Sequence, residues 1–289
     1  MSINTFLSHS IYYKYFIMCK FVANIFLFLT LLNAISEESE RNKVIKWDLP
    51  VQYYIDPDLI YYEWNIMLAI GNIQSHTCIT FLQKQNNDSE TNFIYFKCQK
   101  SNYCSAETVG HSNENKTQVI FIGNDCGYDS LKIQRLIHNT LGALNVQLRD
   151  DRDDYIDIFY NNMRELGPKY FNMSLFPKAD TYETIYDYGS LLHCNAYPFS
   201  KDEKSKTVEP KSKSYKSLYE NMMGQTKYVT FYDYKYLNLL YCNNSCDHRP
   251  KIQCFNSGYQ DPKDCTKCVC PSGFIGWNCS ENPISFAKR

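Results

Sequence analysis

Read along the chain, the apolar residues gather into short clusters separated by polar stretches. Phe21 to Leu32 is a mostly apolar run, with Lys20 before it and Ala34-Ile35-Ser36 after it. Glu37 to Lys46 is charged and has no apolar period. Val51 to Ile55 reads as a strand. Leu59 to Ile73 carries Ile60, Trp64, Met67, Ile70 and Ile73 at helical spacing, which predicts a helix. Further strands are expected at Cys78 to Leu82, Phe93 to Phe96 and Val119 to Ile122. A second helix is expected from about Ser130 to Leu144, with Asp129 or Ser130 as N-cap. Its Ile133, Ile137 and Leu141 share one face, and Arg135 and Asn139 lie nearly opposite. Lys201 to Ser214, KDEKSKTVEPKSKS, reads as a solvated loop without a binding role.

Composition narrows the setting. The 289 residues are 44% hydrophobic, enough for a folded core, and suggest one or two domains. A formal net charge of -1 argues against a role on nucleic acid or a membrane surface driven by charge. Thirteen cysteines, concentrated toward the C-terminus, point to an oxidising compartment. The apolar run and the small-x-small site after it form a secretory signal, assigned to residues 1–36, with Met18 as an alternative start. The run falls short of the about 20 apolar residues a comfortable membrane span needs, so an uncleaved anchor is the lesser reading. The chain is therefore expected to be secreted, with no stable membrane span. Residues 37–46 then form a short pro or linker segment. N-x-S/T sequons begin at Asn87, Asn115, Asn172, Asn243 and Asn278, and in a secreted chain these are glycosylation candidates. Asn278 is the least favourable, because Cys279 fills its middle position.

The most informative stretch is Arg135 to Asp153, RLIHNTLGALNVQLRDDRD. It resembles H-E-x-x-H-x-x-G-x-x-H followed by E-Q-x-R-x-D-R-D, the signature of the astacin family of metzincin zinc peptidases. Leu141, Gly142, Gln147, Arg149, Asp151, Arg152 and Asp153 match and set the register. Tyr186 to Ser200, YDYGSLLHCNAYPFS, resembles the family's Met-turn. Met223 to Cys242, MGQTKYVTFYDYKYLNLLYC, resembles the end of its catalytic domain. The resemblance runs from about Trp47 to Cys242. It implies an α+β fold, a twisted mixed sheet plus long helices, over residues 47–242. A small disulfide-rich EGF-like module over 243–282, of the kind nematode-type members carry, and a tail at 283–289 follow. The chain ends ten residues after Cys279, so no further downstream domain is expected.

In that register the residues that carry the family's chemistry are replaced. The three histidine ligands fall on Arg135, Asn139 and Asn145, and the catalytic glutamate falls on Leu136. A catalytic zinc takes three protein ligands and keeps one position for water. Arginine has no lone pair to give and stays charged. Asparagine offers a weak carbonyl oxygen, and leucine cannot take a proton from a metal-bound water. Leu192 stands where the Met-turn methionine belongs, a mild change. Cys194 stands where the family has a tyrosine that reaches the metal, so a phenolic donor is lost. His193 matches a family histidine that is not a ligand. His138 has Gln134 and Gly142 four residues either side, hence no histidine partner, and reads as a helix-surface or core-edge residue. The acid that pairs with a mature N-terminus in the family is here Val146, and no zinc-blocking acidic motif is found in the short pro segment. No cofactor is expected, although the family implies zinc.

The resemblance also implies the pairings Cys78–Cys242 and Cys104–Cys126, and Cys246–Cys265, Cys254–Cys268 and Cys270–Cys279 in the module. Sequence alone leaves fifteen connectivities for those last six cysteines. Zinc binding by them is disfavoured, since paired C-x-x-C knuckles are missing. Cys19 leaves with the signal. Cys98 and Cys194 remain, and an extra disulfide between them is expected, with a free thiol at Cys194 as the rival. A catalytic Cys–His pair using His138 or His193 lacks an orienting third group.

These readings favour a catalytically inactive, secreted family member that binds extracellular proteins or peptides, including substrates or inhibitors of active relatives. The alternatives are an active zinc endopeptidase and a structural or adhesive protein acting through its EGF-like module. Arg135 is expected to be either exposed in an open cleft or paired with a carboxylate, because a buried unpaired charge is costly.

Overall fold

The computed structural model describes residues 44–86, 92–112, 116–177 and 180–283, all within the second of the chain's two compact units, Val44–Arg289. The signal, Cys19, residues 37–43, the sequons at Asn87 and Asn115, and residues 284–289 lie outside the described residues.

β1 (Val51–Ile55) runs as expected, with Val51, Tyr53 and Ile55 turned into the core. Asp56 then caps a short 3-10 turn, Pro57–Leu59, through a bond from Asp58 N to Asp56 Oδ1 of 3.0 Å. α1 (Glu63–His76) begins only after that turn, and its buried face is Ile66, Ala69, Ile70 and Ile73. The apolar stripe is therefore only half buried. Ile60, Trp64 and Met67 are exposed, while Leu59 takes the core position at the turn. Apolar residues occur on two sides of this helix, so period alone did not choose the inward one.

β2 (Phe81–Gln83) starts three residues later than expected. Thr77 Oγ1 donates to Ile73 O at 2.7 Å and accepts from Ile79 N at 3.1 Å, which holds residues 77–79 as a cap-like turn. β3 (Ile94–Cys98) is displaced slightly toward the C-terminus, and the two-residue β4 (Ser105–Ala106) was not anticipated. β5 (Gln118–Ile122) completes a mixed five-stranded sheet of order β2-β1-β3-β5-β4. All its pairings are parallel except β4 against β5, which is antiparallel and leaves β4 at the edge.

A short α2 (Asn124–Gly127) leads into α3 (Ser130–Thr140), whose N-cap is Asp129, its carboxylate accepting from Leu131 N and Lys132 N. α3 ends earlier than the period suggested. Gly142 sits at φ +104°, where a Cβ would run into Val44, and a return bond from Ala143 N to His138 O closes the end. Ile133, Ile137 and Leu141 are fully buried. They join Ile66, Ile70 and Ile73 with Ile94, Phe96, Ile120 and Ile122 in one core between the helices and the sheet.

The second half is less regular. β6 (Ile156–Ile158) pairs antiparallel with β7 (Val208–Pro210), with the short α4 (Leu166–Tyr170) between them. β7 corrects the expectation of a solvated loop from 201 to 214, because Thr207 and Val208 are fully buried. The charged neighbours on either side hid it: Lys206 bonds Glu209 and Glu220 at the surface. α5 (Lys216–Met222) follows, then α6 (Phe231–Tyr241), which opens with a Thr230–Asp233 capping box.

Cys78–Cys242 ties the end of α1 to the end of α6 across 164 residues, and Cys104–Cys126 pins the β4 segment to α2. After residue 242 the chain forms a disulfide-rich segment with Cys246–Cys265, Cys254–Cys268 and Cys270–Cys279 around a small hairpin of β8 (Tyr259–Gln260) and β9 (Cys268–Val269). It rests on α6. Lys235 Nζ donates to Ser257 O at 2.8 Å, and Asn238 Nδ2 donates to Tyr259 OH at 3.1 Å. Asn172 and Asn243 are exposed, and Asn278 is half-buried. Among the described residues no helix is long and apolar enough to cross a membrane.

Candidate functional site

α3 presents Arg135 and Asn139 one turn apart, opposite its core stripe, and the bend at Gly142 brings Asn145 back to them. Asn145 is the hub. Its Oδ1 accepts from Asn139 Nδ2 at 3.4 Å and from Arg135 Nη2 at 3.5 Å. Its Nδ2 donates to the Tyr170 hydroxyl at 2.7 Å. Asn139 Nδ2 also donates to Ala143 O at 2.8 Å, and Arg135 Nη2 reaches Leu192 O at 3.5 Å. Gln147 joins the cluster to the 190–194 turn: its Nε2 donates to Tyr170 OH at 3.2 Å, and its Oε1 accepts from Cys194 N at 3.0 Å. The three positions singled out from the sequence therefore meet at one centre. Tyr170 and the Leu192 carbonyl complete it; no motif marked Tyr170, and the Met-turn marked Leu192 for its side chain rather than its carbonyl.

Arg135 departs from both expectations. It is half-buried, and among the described residues no carboxylate lies within ion-pair distance. Among the described residues its bonds go to two neutral oxygens, both at the long limit for a hydrogen bond. The charge is tolerated because the side chain keeps contact with solvent while two carbonyl dipoles face it. Leu136 is half-buried and packs on the core rather than facing the centre.

Does this donor set suit a zinc ion? The Asn145 carbonyl that would have to ligate is turned to two N–H donors, and the Asn139 amide nitrogen, not its oxygen, points inward. A guanidinium stands in the third place. The residues present do not fit the metal. Among the described residues no group of three His, Cys, Asp or Glu is placed to hold one.

The Cys98–Cys194 bridge does not form, and both thiols are free. Cys98 ends β3 opposite Ile122, whereas Cys194 is buried in the turn beside Gln147. Burial pushes the Cys194 thiol up to about 12, against a weaker opposite pull from Arg135. Its neighbour His193 is fully buried with both nitrogens engaged: Nδ1 bonds Cys194 O at 2.7 Å, and the Tyr186 hydroxyl lies 2.9 Å from Nε2. Neither nitrogen addresses the thiol, so a nucleophilic pair is not assembled. His138 is not a surface or core-edge residue. It is fully buried, with Nδ1 lacking a partner among the described residues, and burial lowers its pKa to about 3.

The matching residues of the motif tail are structural. Arg149 grips Asp151 with two bonds of 2.8 and 2.7 Å and donates to Thr184 O and Ile185 O. Arg152, 3% exposed, donates to Gln147 O at 3.0 Å and Phe171 O at 2.8 Å. The turn at 190–192 hangs on buried Asp233, which accepts from Ser190 Oγ and Leu191 N. Val146 is buried and borders a cavity of about 50 Å³.

Beside the centre lies a cleft of about 460 Å³. Its floor includes Asn139, Asn145 and Tyr170, one wall is residues 106–109 running on from edge strand β4, and the other is Leu175, Phe176 and Pro177. Polar and apolar side chains both line it.

A comparison with known families matches residues 39–242 to the model of the peptidase family named Astacin. Zinc metalloproteinase nas-36 of Brugia malayi is 33% identical over 245 residues, which is 83% of this chain and 39% of that protein. Zinc metalloproteinase nas-37 of Caenorhabditis elegans is 33% identical over 217 residues, 74% of this chain and 26% of that protein. This chain thus spans well under half the length of these curated relatives. Among solved structures, High choriolytic enzyme 1, a hatching enzyme zinc-protease of the medaka fish Oryzias latipes, superposes with a TM-score of 0.57 at 23% identity. That match covers 70% of this chain and 96% of the other, and it speaks for the fold alone.

Proposed function

The chain belongs to the astacin family of peptidases, and on that premise we propose that it is a secreted member that holds peptide segments in its cleft without hydrolysing them. One observation carries this reading: Arg135, Asn139 and Asn145 bond to one another, directly and through shared acceptors, at the positions where the family motif places its zinc ligands. A protein that had merely lost one ligand would leave a gap there. Here the replaced side chains form a connected polar network with Tyr170 and Gln147, compatible with stable folding in the absence of a metal. Leu136 supplies no base, and the hydrophobic thiol of Cys194 replaces a phenolic donor. The cleft persists beside this network, bordered by an edge strand whose outer backbone groups pair with no strand among the described residues. An extended peptide can add to such an edge through main-chain bonds. The disulfide-rich C-terminal segment is read as an EGF-like module, and the apolar N-terminal run as a cleaved secretion signal.

The test is elemental mass spectrometry of the secreted protein, after chelation and again after zinc is added back, together with cleavage of casein. The expected result is no stoichiometric zinc and no cleavage. One tightly held zinc per chain, or metal-dependent cleavage, would overturn the reading.

A further inference from the structure

The polar centre beside the cleft, which meets it at Asn139, Asn145 and Tyr170, has an unusual charge inventory. Arg135 is a permanent cation with no carboxylate in ion-pair range among the described residues. The titratable groups around it are Tyr170, His193 and Cys194, all of which are neutral when the pH is near 7 because burial opposes their charged forms, and the cleft beside it also carries Glu107, whose Oε2 accepts from Val119 N at 2.9 Å. Tyr170 lines the cleft, and its hydroxyl accepts from both Asn145 and Gln147, so its own proton is donated to nothing among the described residues. The guanidinium holds its two neutral acceptors only at 3.5 Å and leaves most of its five N–H donors unused. Donors and positive charge thus converge where, among the described residues, no carboxylate lies in ion-pair range, the cleft's own Glu107 being engaged by Val119 N. Beside them stand Leu175, Phe176 and Pro177, an apolar wall, with Val109 on the wall opposite.

We propose that this centre is a carboxylate-binding site, and that the ligand is a peptide whose carboxylate pairs with Arg135 and accepts from the Tyr170 hydroxyl while an adjacent apolar side chain lies on the Leu175–Pro177 wall. A carboxylate matches a guanidinium in geometry as well as charge, and charge-assisted bonds are the strong ones. It would replace two long, weak bonds by short ones and relieve an uncompensated half-buried cation. The carboxylate can be a chain terminus or an acidic side chain, since both offer the same two oxygens. This assignment rests on the zinc-free reading, because a metal at this centre would itself take the carboxylate.

The experiment is isothermal titration calorimetry of the full secreted protein, checked for zinc by elemental analysis of the same sample. Three probes are titrated: acetyl-alanyl-alanyl-phenylalanine as the free acid, the same peptide as its C-terminal amide, and an amidated acetyl-alanyl-glutamyl-phenylalanine. Binding of an acid about tenfold or more above the plain amide supports the proposal, and such a gain corresponds to about 1.4 kcal/mol. Whichever acid gains identifies the source of the carboxylate. The gain should shrink as salt is raised, since part of it is Coulombic at a half-exposed charge. Arg135→Gln should bring acid and amide to equal affinity, whereas Arg135→Lys should retain part of the difference. If either variant fails to fold, the acid–amide comparison on the wild-type chain still decides. Equal affinity of all three probes in zinc-free protein would overturn this proposal and leave the zinc-free reading standing. An acid preference that appears only with bound zinc and vanishes on chelation would overturn both. Inorganic phosphate competing as well as the free acid would overturn the peptide assignment.

Discussion

Two histidines are buried completely in this fold, and that should make its stability fall with acid over a defined window. His138 sits in α3 against the core, with Gln134 3.4 Å from Nε2 and nothing for Nδ1 among the described residues. Burial lowers its pKa to about 3. His193 is lowered to about 4, by burial first, with the Cys194 carbonyl opposing and Arg135 adding to the effect. In the unfolded chain both titrate near the ordinary histidine value of about 6.5. As pH falls below that value the unfolded state takes up protons while the native state does not, so stability is lost as pH falls toward 4. Above it the contribution is fully present. Each group costs about 1.4 kcal/mol per pH unit in that window, so the pair removes roughly 5 kcal/mol between about pH 6.5 and pH 4.5. Asp187 and Asp233, whose carboxyls burial raises, act in the opposite sense and offset part of this loss. The assay is denaturant unfolding, followed by circular dichroism at a series of pH values with the disulfides intact. His138→Gln and His193→Gln each remove one proton from the difference, so each should cut the histidine part of the slope by about half while the aspartates stay as they were. His193→Gln also loses the Tyr186 bond and will be less stable at every pH, which is why the slope is the quantity to read. If both variants kept the wild-type slope, the histidines would be charged in the native state and the burial argument would be refuted.

Three further outcomes follow from the packing. Alkylation without reduction should label Cys98 and Cys194 after denaturation. In the native protein Cys98 should react first, because Cys194 is buried and its thiolate is suppressed; peptide mass spectrometry reads both, and a bridged 98–194 peptide would contradict the free thiols. Thr230→Ala removes the cap bond to Asp233 N and should cost about 1 kcal/mol, a Tm loss of a few degrees in a domain of this size. Arg152→Gln strands the carbonyls of Gln147 and Phe171 and should cost about 3 kcal/mol in a denaturant midpoint, whereas the same change at exposed Arg164 should fall within about 0.5 kcal/mol.

Arg149, Arg152 and Asp151 explain why the family is legible in the tail of the motif. Arg149 grips the 184–185 segment, Arg152 fills a buried polar slot, and Asp151 orients the neighbouring Arg149. Losing one would cost stability whether or not a metal is present, and so the pattern around the replaced ligands stays readable. The ligand positions lack such a constraint, and their replacements read directly from residue type: an arginine has no lone pair in any fold.

Other features needed the third dimension. The helical period of residues 59–73 was real, but Ile60 and Trp64 face outward because the sheet and α3 approach from the side of Ile66 and Ile70. A period reports that a stripe exists, not which stripe a distant element will cover. β7 hid in a charged run because strand pairing with β6, about 50 residues away, buries only alternate residues of a three-residue segment. Cys98 and Cys194 were matched by counting, but pairing is decided by where β3 and the 190–194 turn end up, and those places differ. From the amino-acid order alone came the family, the singling out of Arg135, Leu136, Asn139 and Asn145, and the start of α3, since each rests on residue identity at short spacing. The tertiary structure alone decided that Tyr170 and the Leu192 carbonyl join the network, that His138 is core, and that Arg135 faces no carboxylate among the described residues. Those are contacts between segments tens of residues apart, and no local pattern encodes which side chains folding will bring within hydrogen-bond reach.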